Sequence, residues 1–203
     1  VRFIGNKSSG KQGIAIALEA AQRGATVTLI AANIAAVPSE IQNVIPVQDT
    51  QQLSQKLNEQ LAEQDVLVMA AAVADFRVAN KSSNKLKRSE LGNHLQLELV
   101  ANEDILANAV KRIQANHLQV LTVGFAAETA ADTHQLEELA KSKLAHKGCD
   151  LVVANNVANG AVFDADTNDV LILTRSGRTV AAQGSKRLVA AELLDVIADL
   201  QAK

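Results

Sequence analysis

Tryptophan and tyrosine are absent from this chain of 203 residues, which has four Phe, two Pro and one Cys. Without Trp or Tyr, a platform for stacking single-stranded bases has little to build on. A formal net charge of −2 provides no basic footprint for DNA, RNA or an acidic membrane surface, so neither nucleic acid nor membrane is expected as a partner. The lone Cys149 cannot close an internal disulfide, which suits a cytoplasmic, reducing location. It lies between a Lys-rich helical segment and the apolar run Leu151-Val152-Val153, where a small residue entering the core is a better reading than a nucleophile. No apolar run approaches the ~18 residues of a membrane-crossing helix. The opening residues VRFIGNKSSGK are not a signal peptide. They lack a Met, and the chain is expected to have been cut from something longer.

What is present is ordinary for a globular domain: 48% hydrophobic and 21% charged residues, enough for a single core without disulfides or structural metals. Strand-like runs, at Val27–Ile30, Asn43–Val47, VLVMAAAV after Asp65, Val120–Val123 and Leu151–Ala154, alternate with helical patterns. Leu53, Leu57 and Leu61 recur every fourth position and so share one helical face. Helices are also expected over Ile14–Gln22, Asp104–Ala115, His134–Lys147 and Leu188–Leu200, and a hairpin around Arg175-Ser176-Gly177-Arg178. His94–Val100 alternates as a strand, and residues 77–94 are polar and without period, a lid-like loop. The pattern predicts an α/β, Rossmann-like, doubly wound and mainly parallel sheet with a C-terminal β-hairpin, in one domain spanning 1–203. Such sheets bind ligands at the carboxyl ends of their strands, which directs attention to 5–13, 70–77, 101–105, 124–129 and 154–157.

The first of these segments, Gly5-Asn6-Lys7-Ser8-Ser9-Gly10-Lys11, fits GxxxxGK, but Gln12 stands where a P-loop needs the hydroxyl that ligates magnesium. Ser8, Ser9, Gly10 and Gly13 still lead into a helix, where amides and hydroxyls make an anion site. Helix capping by Ser9 is the plainer alternative. It accounts for one serine but not for the glycines and lysines around it, so phosphate binding is favoured. Asp75 follows an apolar strand; there a carboxylate can bind metal or a ribose hydroxyl, or simply start a turn. Asn102-Glu103-Asp104 reads as a helix N-terminus, for which capping alone would suffice. Lys85, Lys87 and Arg88 form either a solvated run or a cationic flap that closes over polyphosphate. Lys143 and Lys147 share a helix face, for which surface solubility is the simple reading.

Taken together, these segments resemble the phosphopantothenate–cysteine ligase family, which in many bacteria is fused behind a flavin-dependent decarboxylase. The matches are VRFIGNKSSGKQG at 1–13, AAAVADFR at 70–77, KLKR at 85–88, NEDI at 102–105, GFAAET at 124–129, KSKLAHKGCD at 141–150, ANNV at 154–157 and VFDADTN at 162–168, in family order along the chain. The resemblance implies a cytoplasmic ligase that takes 4'-phosphopantothenate, L-cysteine and CTP, with Mg2+, through an acyl-cytidylate. It implies catalytic roles for Asn6 and for Lys85 in a flap at about 77–94. It implies nucleotide contacts at Ser8, Ser9, Gly10, Asp75, Asn102, Glu103, Asp104, Ile105, Phe125, Lys143 and Lys147. Substrate contacts fall on Arg2 and Asn6, and magnesium on Asp75 or Asp104. A homodimer is implied, for which the hairpin at 169–182 offers an edge.

Three departures accompany the match. The family's first strand and glycine-rich loop, ahead of Val1, are expected to be missing. Glu103 replaces a common proline, and Asn156 replaces a common aspartate. The competing readings are a catalytically silent nucleotide-binding or regulatory partner and an NAD(P)-dependent short-chain reductase. The second would lack its usual proton donor, since there is no Tyr.

Overall fold

The structure, a computed structural model, describes residues 4–6, 8–34, 36–82, 84–87, 89, 92–157 and 165–202. Five helices and nine strands are named here in chain order. Helix α1 (Lys11–Gln22) leads to β1 (Thr28–Ala32) and β2 (Asn43–Val47), and α2 (Thr50–Gln60), tightened by a 3-10 turn at Leu61–Glu63, leads to β3 (Val66–Met69). Short strands β4 (Phe76–Val78) and β5 (Leu99–Ala101) precede α3 (Ile105–Ala115) and β6 (Leu121–Glu128). Helix α4 (Thr133–Lys147), β7 (Leu151–Asn156), β8 (Thr167–Thr174), β9 (Thr179–Ser185) and α5 (Lys186–Gln201) complete the chain.

The central sheet has the order β3-β6-β7-β8-β9. Strands β3, β6 and β7 are parallel, while β8 and β9 form the antiparallel hairpin. The pairs β1–β2 (parallel) and β4–β5 (antiparallel) stand as separate two-stranded sheets. The fold is thus the predicted α/β class, with parallel strands joined through helices. Alternation divides each central strand between two cores. Leu151, Val153, Val170 and Ile172 face α1 and α5 with Ile16, Val189 and Leu193. Val152, Ala154, Leu171 and Leu173 face the opposite side with Leu53, Leu57, Leu106, Val110 and Leu136.

Local signals account for most helix ends. Asp49, Asp104, Asp132 and Ser185 each accept a backbone N–H in the first turn of the helix they precede, satisfying a donor that the helix cannot. Gly148 closes α4 in the left-handed region at φ 65°. Ser9 does not cap α1: that position is taken by Gly10, at φ 71° and with no side-chain bond. A residue without a Cβ enters this conformation at little cost, and the serine is left exposed.

Three strand expectations change length. The apolar run after Asp65 is a strand only to Met69, because the residues after it have no ladder partner among the described residues. The alternating segment His94–Val100 contributes only its end to β5, where Phe76–Val78 is available to pair. The flap therefore begins inside β4 rather than as irregular chain. The hairpin is longer than its apolar positions suggest, since pairing continues through Thr167↔Ser185.

Candidate functional site

The segment after β3 is the centre of the site, and hydrogen bonds tie it to two other parts of the chain. Asn6 donates from its side-chain amide to the Val73 carbonyl at 3.1 Å. Asn102 donates its side-chain amide to the Ala74 carbonyl at 2.7 Å and its backbone N–H to the Asp75 carbonyl at 2.8 Å. Arg77 donates to the Ala101 carbonyl at 2.6 Å and to Asn102 Oδ1 at 3.3 Å. The side chain of Asn102 is thus used for bracing. Asp75 itself is exposed, and its carboxylate takes no hydrogen bond or ion pair among the described residues.

Asp104 is differently placed. Its Oδ1 caps α3 by accepting from Ala107 N at 3.1 Å, and its Oδ2 accepts from the Lys147 ammonium. Burial works to raise its pKa, and the Lys147 and Ala107 donors outweigh burial, so the carboxyl lies below its ordinary value. With both oxygens committed, Asp104 has less to offer a metal ion than Asp75. Among the described residues no group of three or more His, Cys, Asp or Glu gathers as a metal cluster. Glu103 is exposed and accepts from Asn108 Nδ2 at 2.9 Å, a bond that proline at this position would lack. Ile105 is buried at 5% exposure and belongs to the core, so any contact it makes to a ligand is through its backbone.

Lys143 and Lys147 share an α4 face as predicted, and both are half-buried. Lys143 donates to Glu128 at the end of β6 at 3.0 Å, so each of the two lysines has a carboxylate partner outside α4. Phe125, half-buried, packs against the opposite core, on the side of α1 and α5. Gly124, just before it, lies in a tight place: a Cβ there would meet Leu106 Cδ2 at 2.7 Å.

The glycine-rich segment leads into α1, with Ser8 and Ser9 exposed and Ser8 Oγ accepting the Gly10 N–H at 3.4 Å. Lys11 bonds Asp166 at 2.9 Å. Gln12 donates to the Lys186 carbonyl at 3.0 Å and accepts from Asn168 at 3.2 Å. The residue that breaks the P-loop pattern therefore has a structural use, fastening α1 to the start of α5. Lys85 is exposed in the flap, and among the described residues no hydrogen bond or ion pair joins it to Asn6 or Asp75. Arg2, Arg88 and residues 162–164 of the VFDADTN match lie outside the described residues.

Sequence reasoning passed over Glu128, Asn156 and Arg77 as site-building residues. In the sequence, Asn156 stands out only as a replacement for a common aspartate. Its amide accepts from Ala130 N at 3.2 Å and donates to Ala130 O at 2.7 Å. A carboxylate could make only the first of these bonds. A cavity of about 380 Å³ adjoins the site, lined by Thr50, Gln51, Arg77, Ala101, Asn102 and Glu103.

Residues 1–200 match the family described as the DNA/pantothenate metabolism flavoprotein C-terminal domain. The chain is 45% identical over 202 residues to the coenzyme A biosynthesis bifunctional protein CoaBC of Mycobacterium bovis, covering 97% of this chain and 48% of that protein. It is 37% identical over 200 residues to the protein of the same name from Haemophilus influenzae, covering 97% and 47%. The chain spans about half the length of the curated relatives it matches. Among solved structures, the C-terminal domain of a CoaBC protein superposes with a TM-score of 0.78 at 29% identity, covering all of this chain and 89% of that one.

Proposed function

The chain belongs to the family of the DNA/pantothenate metabolism flavoprotein C-terminal domain, and from that premise we propose that it is the ligase joining 4'-phosphopantothenate to L-cysteine in cytoplasmic coenzyme A biosynthesis. CTP is the activating co-substrate. The observation that carries this reading is the line of contacts from Asn6 through Val73, Ala74 and Asp75 to Asn102, continued by the Asp104–Lys147 pair. It gathers residues that the resemblance assigns to activation and nucleotide binding beyond the end of one parallel strand, where open α/β sheets receive ligands.

A carboxylate is a poor electrophile and must first acquire a leaving group. In the proposed reaction its oxygen attacks the α-phosphorus of CTP, and the bond to pyrophosphate breaks, leaving an acyl-cytidylate. The cysteine amine then attacks the acyl carbon, CMP departs with the bonding pair, and the amine's proton is released. The Asn6 amide fits a donor to the acyl oxygen as negative charge develops there. Ser8, Ser9 and Gly10 supply hydroxyls and an amide for phosphate ahead of α1, and Arg2 is the carry-over assigned to the substrate phosphate. Lys143 and Lys147 offset charge on the triphosphate, and Lys85 approaches when the flap closes. Magnesium fits Asp75, whose oxygens are uncommitted, better than Asp104; when bound it would neutralise phosphate charge. The homodimer is proposed to use the free edge of β9, and a flavin-dependent decarboxylase domain is the proposed partner within the longer relatives.

The test is pyrophosphate release from CTP and magnesium with 4'-phosphopantothenate, with and without cysteine. Turnover that depends on phosphopantothenate, with CMP and amide appearing only when cysteine is added, supports the ligase. Asn6→Ala is expected to lower turnover by about 100-fold or more, the scale of losing one oxyanion donor. CTP binding with no turnover, for this chain and for a version extended at its N-terminus, would instead support the silent nucleotide-binding reading.

A further inference from the structure

Lys143 sits near the end of α4, and a lysine on an exposed helix face ordinarily samples many side-chain conformers. Here its ammonium bonds Glu128 Oε1 at 3.0 Å, with the two side chains 37% and 20% exposed. Glu128 is the last residue of β6, opposite Asn156 in the parallel ladder. Its position is fixed by more than the ladder. Val157 donates its N–H to the Glu128 carbonyl at 2.8 Å. Two residues on, the Asn156 amide holds both the N–H and the carbonyl of Ala130. The backbone that carries Glu128 is thus braced on both sides by the end of β7, and the carboxylate projects from it to the lysine.

We propose that Glu128 is a positioning residue that holds the Lys143 ammonium in place for the polyphosphate of a nucleotide, with Asn156 bracing Glu128 through the backbone. The proposal rests on the reading of Lys143 as a nucleotide contact. Two effects of Glu128 on a polyanion oppose each other. Its negative charge repels the ligand, and removing that charge would tighten binding. Its hold on Lys143 restricts a flexible side chain before the ligand arrives, so that less freedom is lost on binding. The rigid strand end, the partial burial and the direct bond favour the second effect.

The two effects predict opposite signs, which makes the experiment decisive. Dissociation constants for magnesium–CTP would be measured by calorimetry at fixed salt on the wild type, Glu128→Gln, Lys143→Met and the double variant, with circular dichroism as the check on folding. In parallel, the order of the Lys143 side chain would be read by 13Cε NMR relaxation in the ligand-free wild type and Glu128→Gln. Glu128→Gln is expected to weaken CTP binding by about fivefold, within the range of contacting pairs in a double-mutant cycle. That loss is expected to vanish in the Lys143→Met background, and Lys143 is expected to become more mobile. Tighter or unchanged CTP binding by Glu128→Gln, or the same loss without Lys143, would overturn the positioning role. An ordered Lys143 in a wild type that binds no CTP would overturn the nucleotide reading while leaving the hold itself demonstrated.

Discussion

Asp104 shows how one side chain can serve a helix and a site at once. Its two oxygens divide between the first turn of α3 and the Lys147 ammonium. The carboxyl lies below its ordinary pKa despite the opposing effect of burial. A depressed folded-state pKa contributes stability that is present above the unfolded value, about 3.9, and is lost as pH falls through the lower folded value. Asp104→Asn keeps a capping oxygen but removes the charge. It is expected to cost about 1 kcal/mol at pH 7, the upper part of the range for a partly exposed pair, and close to nothing at the acid end. Urea unfolding of both proteins from pH 7 downward would show the two curves converging. A constant offset across that range would mean that the ion pair contributes no pH dependence.

The carboxylates at the two candidate positions were equivalent in sequence, each an Asp at the edge of an element. Their difference lies in what surrounds them: Asp75 follows a stretch that joins no strand ladder among the described residues and stays exposed, while Asp104 meets a lysine 43 positions later. No local pattern encodes that meeting. The same holds for Gln12, legible only as a broken motif until Asn168 and the Lys186 carbonyl are seen beside it.

At the level of elements, the entry into α1 depends on backbone conformation rather than on a capping side chain. Gly10 is at φ 71°, and a Cβ there would lie 3.2 Å from Ile34 Cγ1. Gly24 is at φ 90°, with nothing within 4 Å of a Cβ. Gly10→Ala is therefore expected to cost about 2 kcal/mol and Gly24→Ala about 1 kcal/mol, since the left-handed penalty is common to both and crowding only to the first. Thermal unfolding followed by circular dichroism would rank them; equal losses would show that Ile34 yields without cost. The helices themselves were readable, because apolar spacing such as Leu53, Leu57 and Leu61 reports a buried face directly. Strand ends were less so: alternation says that a segment can pair, and a neighbour decides how far it does. His94–Val100 has the alternation, but Leu95 and Leu97 remain exposed and only the last residues join a ladder.

Across the whole molecule, packing is uneven in a way that hydrogen exchange can measure. Val123, Ala126, Leu151, Val153, Ala154 and Ile172 have no exposed area, and they lie on β6, β7 and β8, covered by helices on both faces. The β4–β5 ribbon stands apart from this sheet and exposes Phe76 and Leu99. Two strands with little cover are marginal alone, and local opening is cheapest where few apolar contacts must break. Amides of β6, β7 and β8 are expected to exchange slowest, and those of β4 and β5 faster by about two orders of magnitude or more. Similar protection in ribbon and sheet would show that the two open as one unit.

The fold class, most of the helices and strands and the family are legible in the residue pattern alone, because burial imposes periodicity on neighbouring residues and the family's segments are short and contiguous; the β4 strand at Phe76–Val78 is not. Which partners the site residues have is set by how distant segments meet in the fold. Asp104 with Lys147, Glu128 with Lys143, Asn156 with Ala130 and Asn102 with Ala74 are pairs far apart in the chain. Hydrogen bonds and ion pairs act over a few ångströms of space, and that proximity exists only once the strands have come together.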